Sequence, residues 1–428
     1  MLMQKSSIIK CILFVLIFWG AILIAPRSLH AEVLPDGHQG HTHIVYILFG
    51  GTNNPFNQSD FTTDQGEIYL RAPYKNGFVF KGWYLDSHYT HRVHWVDTSS
   101  AMTLVLYARW DANIDNVGNV MHYPYEEKLS FLSTSADYYA LKNLDYYFLE
   151  DLNIPGMPST KEKDFISRMI SSTDQLPQGF CFTEKYVLIT AYSTQENAMG
   201  ELMVFDRETN SYLVTLAMDP RSHLGGVAFD GLNVWVCNSK RMTIERISLD
   251  FIDLMVNKNR GEVVDASAVV DSYKVSNKPS CISFYDGRIW VATHNILMNG
   301  KLVSYYYDGN RNTLKKMGGY TIPSKVQGIA FDSFGHVYLS TSYGRNSSSY
   351  LKIYQSVADL SAQPNRPVAE VEMPPGSEEI DIDPENDIHI VFETAGEKYY
   401  LGTDGKGIAE YPLDKLLIIP NISEQIFP

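Results

Sequence analysis

Three glutamates near the end of the chain have the clearest potential for chemistry. Glu378 and Glu379 are adjacent, and Glu393 lies a short way downstream. If the chain folds back between them, their carboxyl groups meet, and with His294 nearby they could perform general acid–base chemistry on a sugar. Glycosidases use such carboxylate pairs at separations of about 5 to 9.5 Å. The chain carries no GxSxG, HExxH or phosphate-loop motif, so other hydrolytic chemistries lack a signature.

Polar side chains recur where predicted first strands begin and predicted second strands end. In an antiparallel pair these two positions lie at the same end, so the side chains should share one face. The alternative for any single residue is a solvated position on the rim. We predict a ligand-binding face formed by Gln178, His223, Asn238, His294, Gln327, Tyr343, Arg345, Glu378, Glu379 and Glu393, with Tyr192 and Lys278 at related positions. A single pocket is expected between Gln178, His294, Gln327, Tyr343, Glu379 and Glu393.

These positions belong to a repeat of about fifty residues, which suits a four-stranded propeller blade. Its clearest copy is GGVAFDGLNVWVCNS, residues 225 to 239. An apolar anchor ends each first strand just before an apolar second strand, at Phe182, Phe229, Phe284, Phe331 and Ile382, with spacings of 47, 55, 47 and 51 residues. We predict a mainly β fold with a β-propeller over residues 176 to 428. Five blades are expected, with six as the alternative, and residues 398 to 413 should complete the last blade.

Four segments of this region are similar to secreted bacterial propeller proteins of unassigned activity. They are KVQGIAFD, LSTSYGRNSS, PPGSEEIDI and VFETAGEKYY, which begin at residues 325, 339, 374 and 391. More distantly, the blades resemble lactonase-type and NHL-like propellers. The resemblance implies a fold and no activity.

A separate unit is expected over residues 43 to 111. Its segments IVYILFGGTNNPFN, YLRAPYKNGFVFKGWYLDS and LVLYARWD begin at residues 44, 69 and 104. Strand-like alternation and the residues Trp83 and Trp110 predict a small domain with an aromatic core. These segments resemble the Listeria-Bacteroides (internalin-type) B repeat, which implies a small β-grasp-like module that acts as a spacer or adhesive unit at the bacterial cell surface. Phe49 departs from the Asn that this family usually carries before the two glycines.

The first 31 residues have the features of an export signal. Lys5 and Lys10 lead into an apolar run, and Ala31 suits a cleavage site. The run from Cys11 to Ala25 is short for a spanning helix, which makes a membrane anchor the alternative interpretation. We therefore predict a secreted or cell-envelope (extracellular) protein with no membrane span after signal removal.

Composition narrows the class of partner. The formal net charge of −14 argues against nucleic acid, whose binding needs clustered Lys and Arg. A hydrophobic content of 45% indicates a folded chain rather than a disordered one. Cys181, Cys237 and Cys281 fall in strand patterns and are expected to be buried thiols, with a bridge from Cys237 to one of the others as the alternative.

Residues 112 to 175 are predicted to form a partly helical linker. Ser159 or Thr160 with Glu162 resembles a capping box, and the apolar residues from Phe165 to Ile170 would form one helical face. The aromatic residues around Tyr147 are expected to be buried against the propeller.

Three parts of the chain carry side chains that could bind a metal ion. Six histidines, His38, His41, His43, His88, His91 and His94, crowd the first unit but lack a completing ligand set, so we interpret them as loop residues. The stretch Asp381 to Asp387 mimics part of a calcium loop but is better explained as strand alternation and a hairpin turn. A lactonase-like metal site using Asn238 and the glutamates is a further alternative. We predict no metal and no cofactor, with calcium left as an open possibility.

Two functions fit these observations. The first is non-catalytic binding of an extracellular glycan or protein through the propeller face, with the B-repeat module as spacer. The alternative is a propeller hydrolase of glycosidase or lactonase type that acts on an extracellular carbohydrate. The separation between Glu393 and the pair Glu378 and Glu379 distinguishes the two.

Overall fold

The structure is a computed structural model that describes residues 40–54, 57–63, 65–70, 73, 75, 78–112, 120–122, 141, 144–149, 152–157, 160–162, 175–194, 199–220 and 222–427. The predicted signal peptide, His38 and the predicted helical face from Phe165 to Ile170 lie outside these residues. No helix within the described part has the length and apolar character needed to cross a bilayer.

The N-terminal module, residues 41 to 112, is built from short strands around an aromatic core. Its strands are β1 His41–Ile47, β2 Asp60–Thr62, β3 Glu67–Tyr69, β4 Phe78–Tyr84, β5 Arg92–Val93, β6 Trp95–Asp97 and β7 Thr103–Ala112. The main sheet has the order β2-β1-β7-β4-β5, with β1 parallel to β7, and β3 pairs with β6. Trp83 is 2% exposed and packs on the rings of Tyr46 and Phe80. This confirms Trp83 as a core residue.

The turn after β1 explains the unusual residue at position 49. Phe49 has a φ of 47° and Gly50 a φ of 85°, so both occupy the left-handed region. Asn and Gly adopt this region more readily than a bulky aromatic residue. Phe49 therefore adds local strain, and its ring is half exposed.

The connecting segment contributes strands rather than a described helix. β8 Val120–His122 pairs antiparallel with β10 Thr160–Glu162, and β9 is Tyr147–Phe148. The expectation that Thr160 and Glu162 begin a helix is therefore wrong for these residues, because their backbone groups pair in a sheet.

Five sheets follow, and each forms one propeller blade. Blade 1 contains β11 Gln175–Phe182, β12 Tyr186–Ser193, β13 Met199–Asp206 and β14 Tyr212–Pro220, with β18 Val263–Asp265 added in parallel. Blade 2 contains β15 Val227–Phe229, β16 Asn233–Asn238, β17 Thr243–Ser248 and β19 Asp271–Lys274, with helix α1 Leu249–Lys258 between its last two strands. Blade 3 contains β20 Cys281–Tyr285, β21 Arg288–Ala292, β22 Gly300–Asp308 and β23 Thr313–Ile322.

The last two blades complete the ring. Blade 4 contains β24 Val326–Phe331, β25 Val337–Thr341, β26 Ser349–Tyr354 and β27 Ala369–Met373, with helix α2 Val357–Ala362. Blade 5 contains β28 Ser377–Ile382, β29 Ile388–Phe392, β30 Leu417–Ile419 and β9, together with helices α3 Glu397–Tyr400 and α4 Ile422–Ile426.

The first strands of the blades touch one another in a closed cycle. Contacts run from β11 to β15, β20, β24 and β28, and then back to β11. Each predicted anchor occupies the same place in its blade and pairs with the start of the second strand, as in Phe182 with Val187 and Phe229 with Val234; the other pairs are Phe284 with Ile289, Phe331 with Val337, and Ile382 with Ile388. The prediction of five blades is confirmed.

A strand from before the propeller closes the last blade. β9 supplies the outermost strand of blade 5 by pairing with β30, and Phe148 is buried in the core beneath it. The expectation that residues 398 to 413 complete this blade is wrong, since α3 and a loop occupy most of that stretch. The predicted boundary near residue 176 is also too late, because the ring includes Tyr147–Phe148.

The channel is closed by close packing of the first strands. A Cβ atom on Gly226 would lie 2.4 Å from Glu379 Oε2, and one on Gly328 would lie 2.6 Å from the Glu378 carbonyl oxygen. Glycine is required where backbones approach this closely. The Glu379 side chain, fully buried, fills the space that remains.

The three cysteines in the blades are buried free thiols, as expected. Burial raises the pKa of each thiol, and the nearby Glu379 carboxyl adds to this effect. Because reactivity requires the thiolate, Cys181, Cys237 and Cys281 act as small core residues.

Candidate functional site

A pocket of ≈ 320 Å³ opens at the mouth, the end of the ring where first strands begin and second strands end. It is called the mouth pocket below. Six of the ten predicted site residues line it, namely Gln178, His223, His294, Gln327, Glu378 and Glu393. The remaining lining residues are Tyr192, Gly225, Ser239, Lys278, Ser280, Lys398 and Tyr399.

Each of the five blades contributes a residue from the same position, relative to the anchor of its first strand, to the pocket lining. In every blade, the residue four positions before the anchor lines the pocket, which gives Gln178, Gly225, Ser280, Gln327 and Glu378. In blades 1 and 4, Gln178 and Gln327 are the extra residues of β-bulges, and a bulge interrupts the same stretch of blade 5. A bulge re-aims a side chain that would otherwise alternate with its neighbours. The bulges therefore turn the amide and carboxyl groups toward the mouth.

The floor of the pocket is a hydrogen-bonded chain. Glu378 and Glu393 are in direct hydrogen-bond contact. Gln327 Nε2 donates to Glu378 Oε1 at 2.9 Å, and Gln178 Nε2 donates to Glu393 Oε2 at 3.0 Å. The Tyr399 hydroxyl donates to Glu393 Oε1 at 2.6 Å. Residues from blades 1, 4 and 5 thus meet around one carboxyl pair.

Both acids of this pair have a raised pKa. Burial raises the pKa of Glu378 well above its usual range, and the adjacent Glu393 raises it further. Burial also raises the pKa of Glu393, but Tyr399, Lys398 and Gln178 favour its ionised form. Of the two acids, Glu378 therefore holds its proton more strongly, and Glu393 ionises first as the pH rises.

The two histidines of the pocket are neutral. His294 Nδ1 lies 3.2 Å from the Val326 carbonyl oxygen, which can only accept, so Nδ1 carries the proton. Burial, and then Lys278, lower the pKa of His294. His223 stacks on Tyr192 with ring centroids 4.0 Å apart, and burial followed by the charges of Lys398 and Lys278 lowers its pKa. Both rings can accept or donate a hydrogen bond without carrying charge.

The structure adds Lys398 and Tyr399 to the predicted site. Both belong to α3, and Arg345 from the loop after β25 holds this segment in place. The Arg345 guanidinium donates to both oxygens of Asp404 at 2.9 and 2.8 Å and lies 5.0 Å from the Tyr399 ring centroid. Arg345 is therefore a support for the pocket rather than part of its lining. The sequence GTDGKG after α3 is rich in glycine, which indicates a loop rather than a strand. This signal could have shown that the segment with Lys398 and Tyr399 is not a strand of the last blade.

Glu379 lies beneath the pocket and not within it. Its carboxyl oxygens accept hydrogen bonds from the backbone nitrogens of Ile282 and Ile329 at 3.2 and 2.9 Å. Burial raises the pKa of Glu379 well above its usual range. The prediction that Glu379 lines the pocket is wrong, because it stands one position closer to its anchor than Glu378. At this position the other blades place Gly179, Gly226, Cys281 and Gly328.

Asn238 and Tyr343, which were predicted to belong to the site, do not line the pocket. Asn238 is fully buried, and its Nδ2 donates to Asp219 Oδ2 at 3.0 Å and to Glu245 Oε1 at 2.7 Å. Tyr343 is half exposed, with the Lys325 ammonium 5.2 Å from its ring centroid. Ser239, the residue after Asn238, lines the pocket instead. A shift of one residue on a strand moves a side chain to the opposite face.

Three histidines of the N-terminal module, His43, His91 and His94, have side-chain partners in the structure. His43 Nδ1 lies 2.7 Å from Asp60 Oδ1, and His91 Nδ1 lies 3.3 Å from Asp86 Oδ2. His94 stacks on Tyr147 with centroids 4.0 Å apart and joins the module to the propeller.

Asp381 to Asp387 form the hairpin turn that was expected between β28 and β29. Asp383 Oδ1 accepts from the Asp387 nitrogen at 2.9 Å, and Asp381 Oδ2 accepts from the Phe182 nitrogen at 3.1 Å. Among the described residues, no group of three or more His, Cys, Asp or Glu side chains is arranged to hold a metal ion.

No family model matches this sequence. No curated protein matches it either.

Solved structures give distant similarities over about half of the chain. Hydrazine synthase from Kuenenia stuttgartiensis has a TM-score of 0.32 at 13% identity and covers 50% of this chain and 55% of its own. Glutaminyl cyclase from Myxococcus xanthus has a TM-score of 0.34 at 11% identity, with coverages of 58% and 92%. The PQQ-bound aldose sugar dehydrogenase from Streptomyces coelicolor has a TM-score of 0.36 at 13% identity, with coverages of 57% and 93%. Similarities at this level carry no argument about activity, and the propeller assignment rests on the strand pairing and the closed ring.

Proposed function

We propose that this chain is a secreted or cell-envelope protein that binds the end of a glycan in the mouth pocket without transforming it. The N-terminal module, a B repeat by resemblance, serves as a spacer or adhesive unit. The observation that carries the proposal is the convergence of Gln178, His294, Gln327 and Glu393 from four blades on one pocket. Convergent polar groups in a concave site are typical of small-molecule recognition.

The size and chemistry of the pocket suit a sugar ring. Its volume of ≈ 320 Å³ lies near the lower end of the range of about 300 to 1,000 Å³ for ligand pockets. Amide, imidazole, carboxyl and phenol groups offer donors and acceptors in alternation, as ring hydroxyls require. The stacked pair of Tyr192 and His223 adds an aromatic wall. A sugar residue fits this pocket better than a protein loop, so the glycan is favoured over a protein ligand.

The hydrolase alternative has no supporting observation. Glu378 and Glu393 are in hydrogen-bond contact, whereas glycosidase carboxyl groups stand about 5 to 9.5 Å apart to admit a sugar or a water. The lactonase-like metal site would bring Asn238 to the glutamates, but the Asn238 amide donates to Asp219 and Glu245 instead.

A glycan array probed with the full-length chain tests the proposal. For the strongest hit, calorimetry should give an affinity at least roughly tenfold lower for Glu393→Gln, because the new amide would face the donating Gln178 amide and Tyr399 hydroxyl. Glu385→Gln is the matched control, since Glu385 is exposed in the same blade at the end opposite the mouth.

Three outcomes decide between the functions. Loss of binding in Glu393→Gln with retention in Glu385→Gln supports the mouth pocket. Equal binding by both variants, or no retained glycan on the array, contradicts the proposal. Release of new reducing ends from the bound glycan would favour the hydrolase instead.

A further inference from the structure

The charges around the mouth pocket do not cancel. Burial raises the pKa of both Glu378 and Glu393, so the floor carries less negative charge than two free carboxylates would, and burial lowers the pKa of both histidines, which favours their neutral form. Lys278 and Lys398 contribute two positive charges. The pocket is therefore net positive within a chain whose formal charge is −14.

Neither ammonium group forms an ion pair with a carboxylate of the described residues, although Lys398 lies close enough to Glu393 to favour its ionised form. Lys398 Nζ donates to the Tyr192 hydroxyl at 3.3 Å and lies 4.9 Å from the Tyr399 ring centroid. Lys278 is exposed, and its side chain makes no ion pair with any residue that the structure describes. Elsewhere on the molecule, lysines such as Lys185 and Lys352 do pair with acids. The rim thus presents two cations that an anionic group of a ligand could approach.

We infer that the glycan end bound in the mouth pocket carries a carboxylate, as in a uronic acid, and that Lys278 and Lys398 recognise it. This inference rests on the proposed function. The hydroxyl groups of the sugar face the amides and the carboxyl pair of the pocket floor, and the carboxylate of the sugar lies at the rim of the pocket. A neutral sugar could use the floor but would leave the rim charges uncompensated. The two lysines are therefore specificity-determining residues.

Matched monosaccharides provide the test. D-Glucuronate and D-glucose differ only at C6, as do D-galacturonate and D-galactose. With the full-length chain at pH 7 and low salt, calorimetry should show that one uronate binds roughly tenfold more tightly than its neutral counterpart. This preference should shrink at 0.5 M NaCl, because salt screens exposed charges.

Lysine variants locate the effect. Lys278→Gln and Lys398→Gln should each lower the uronate affinity more than the affinity for the neutral sugar. Lys316→Gln is the control, since Lys316 is exposed on the outermost strand of blade 3 and should leave both affinities unchanged.

The outcomes separate this inference from the function on which it rests. Equal affinity for uronate and neutral sugar overturns the inference and leaves glycan binding intact. Uronate binding that neither lysine variant alters also overturns it, since the carboxylate would then lie elsewhere. If neither kind of sugar binds while the array retains a glycan, the inference fails and the proposed glycan binding stands; if the array retains no glycan, both fail.

Discussion

Glu378 and Glu393 are held together by partners that act on them differently. Gln327 holds Glu378, whereas Glu393 receives hydrogen bonds from Gln178 and Tyr399. The raised pKa of Glu378 favours its protonated form, which lowers the repulsion that two buried carboxylates would otherwise suffer. The pair is thus a rigid hydrogen-bonding floor at neutral pH, and its protonation links the pocket to the stability of the ring.

The buried acids of the propeller should make its stability fall as the pH rises from about 4 toward 8. Burial raises the pKa of Glu378 and Glu379, and it raises the pKa of Asp381 to about 7. At these acids the folded state binds more protons than the unfolded state in this range, so their contribution to the free energy of unfolding decreases with pH. His94, His223 and His294 have a lowered pKa and contribute in the opposite direction over part of the range. Urea denaturation at pH 5 and pH 8 measures the slope. Glu378→Gln mimics the protonated acid and should give a shallower slope, and an unchanged slope would contradict the assignment of the proton.

Glu379→Gln should destabilise the propeller by about 1 to 3 kcal/mol, because one of the two backbone N–H donors would face an amide N–H. Thermal unfolding checks this, with Glu378→Gln and Glu385→Gln as comparisons expected to stay near the parent melting temperature. A Glu379→Gln melting temperature equal to that of the parent would show that the buried carboxyl is not a structural bridge.

The position of the pocket could be predicted from the sequence, but the individual residues that line it could be predicted only in part. Strand starts and ends could be read from the repeat, which is why Gln178, His294 and Glu393 were placed correctly. The β-bulges could not be predicted from the sequence. The irregularity in blade 5 determines that Glu378 faces the mouth while Glu379 faces the channel. Aligning the five anchors would have separated the two, because the position of Glu379 is glycine in three other blades.

At the level of the strands, the first strand of each blade both lines the pocket and closes the channel below it. The two tasks fall on adjacent residues, such as Gln327 and Gly328. The backbone of Gly328 packs on the backbone of Glu378 and Glu379, so it sets the height of the pocket floor. Side chains at this level would push blades 4 and 5 apart.

Gly328→Ala should therefore destabilise the ring by about 1 to 3 kcal/mol or more, since its Cβ would meet rigid backbone rather than a flexible side chain. Gly319→Ala is the control, because Gly319 is an exposed strand residue whose added Cβ would meet nothing within 4 Å. Chemical denaturation of both variants gives the comparison. Equal stability of the two would contradict the close approach of β24 and β28.

The strand that closes blade 5, β9, could not be predicted from the sequence. β9 has two residues and carries no copy of the anchor pattern, so its pairing with β30 depends on tertiary contacts alone. The loop after α3 was mistaken for a strand because Tyr399 and Tyr400 have high strand propensity. Here α3 places Tyr399 against Glu393, and local propensity is overridden.

On the scale of the whole molecule, the N-terminal module lies against the ring near its closing strand. His94 stacks on Tyr147 of β9, and Lys81 Nζ lies 3.4 Å from Ser211 Oγ at the edge of blade 1. Each unit has its own core, so the two can unfold separately. The regular repeat predicted the propeller, whereas the contacts between the units depend on surface residues that carry no pattern.

Trp83→Ala should unfold the module and leave the propeller folded. Loss of a buried aromatic side chain removes about 3 to 5 kcal/mol, which a small domain cannot spare. Calorimetry should show the transition of the module lost or shifted to lower temperature and the propeller transition retained. Trp95→Ala, a half-buried residue at the Tyr147 contact, is the comparison expected to change the module less. A cooperative module transition near that of the parent would contradict the core assignment.

A crystal structure of the full-length chain soaked with its tightest-binding sugar would show whether the mouth pocket is the binding site. We expect density for one sugar ring in the mouth pocket, with hydroxyl groups within hydrogen-bond distance of Glu393 and Gln178. Density on the N-terminal module or on the outer strands, with the mouth pocket empty, would contradict it.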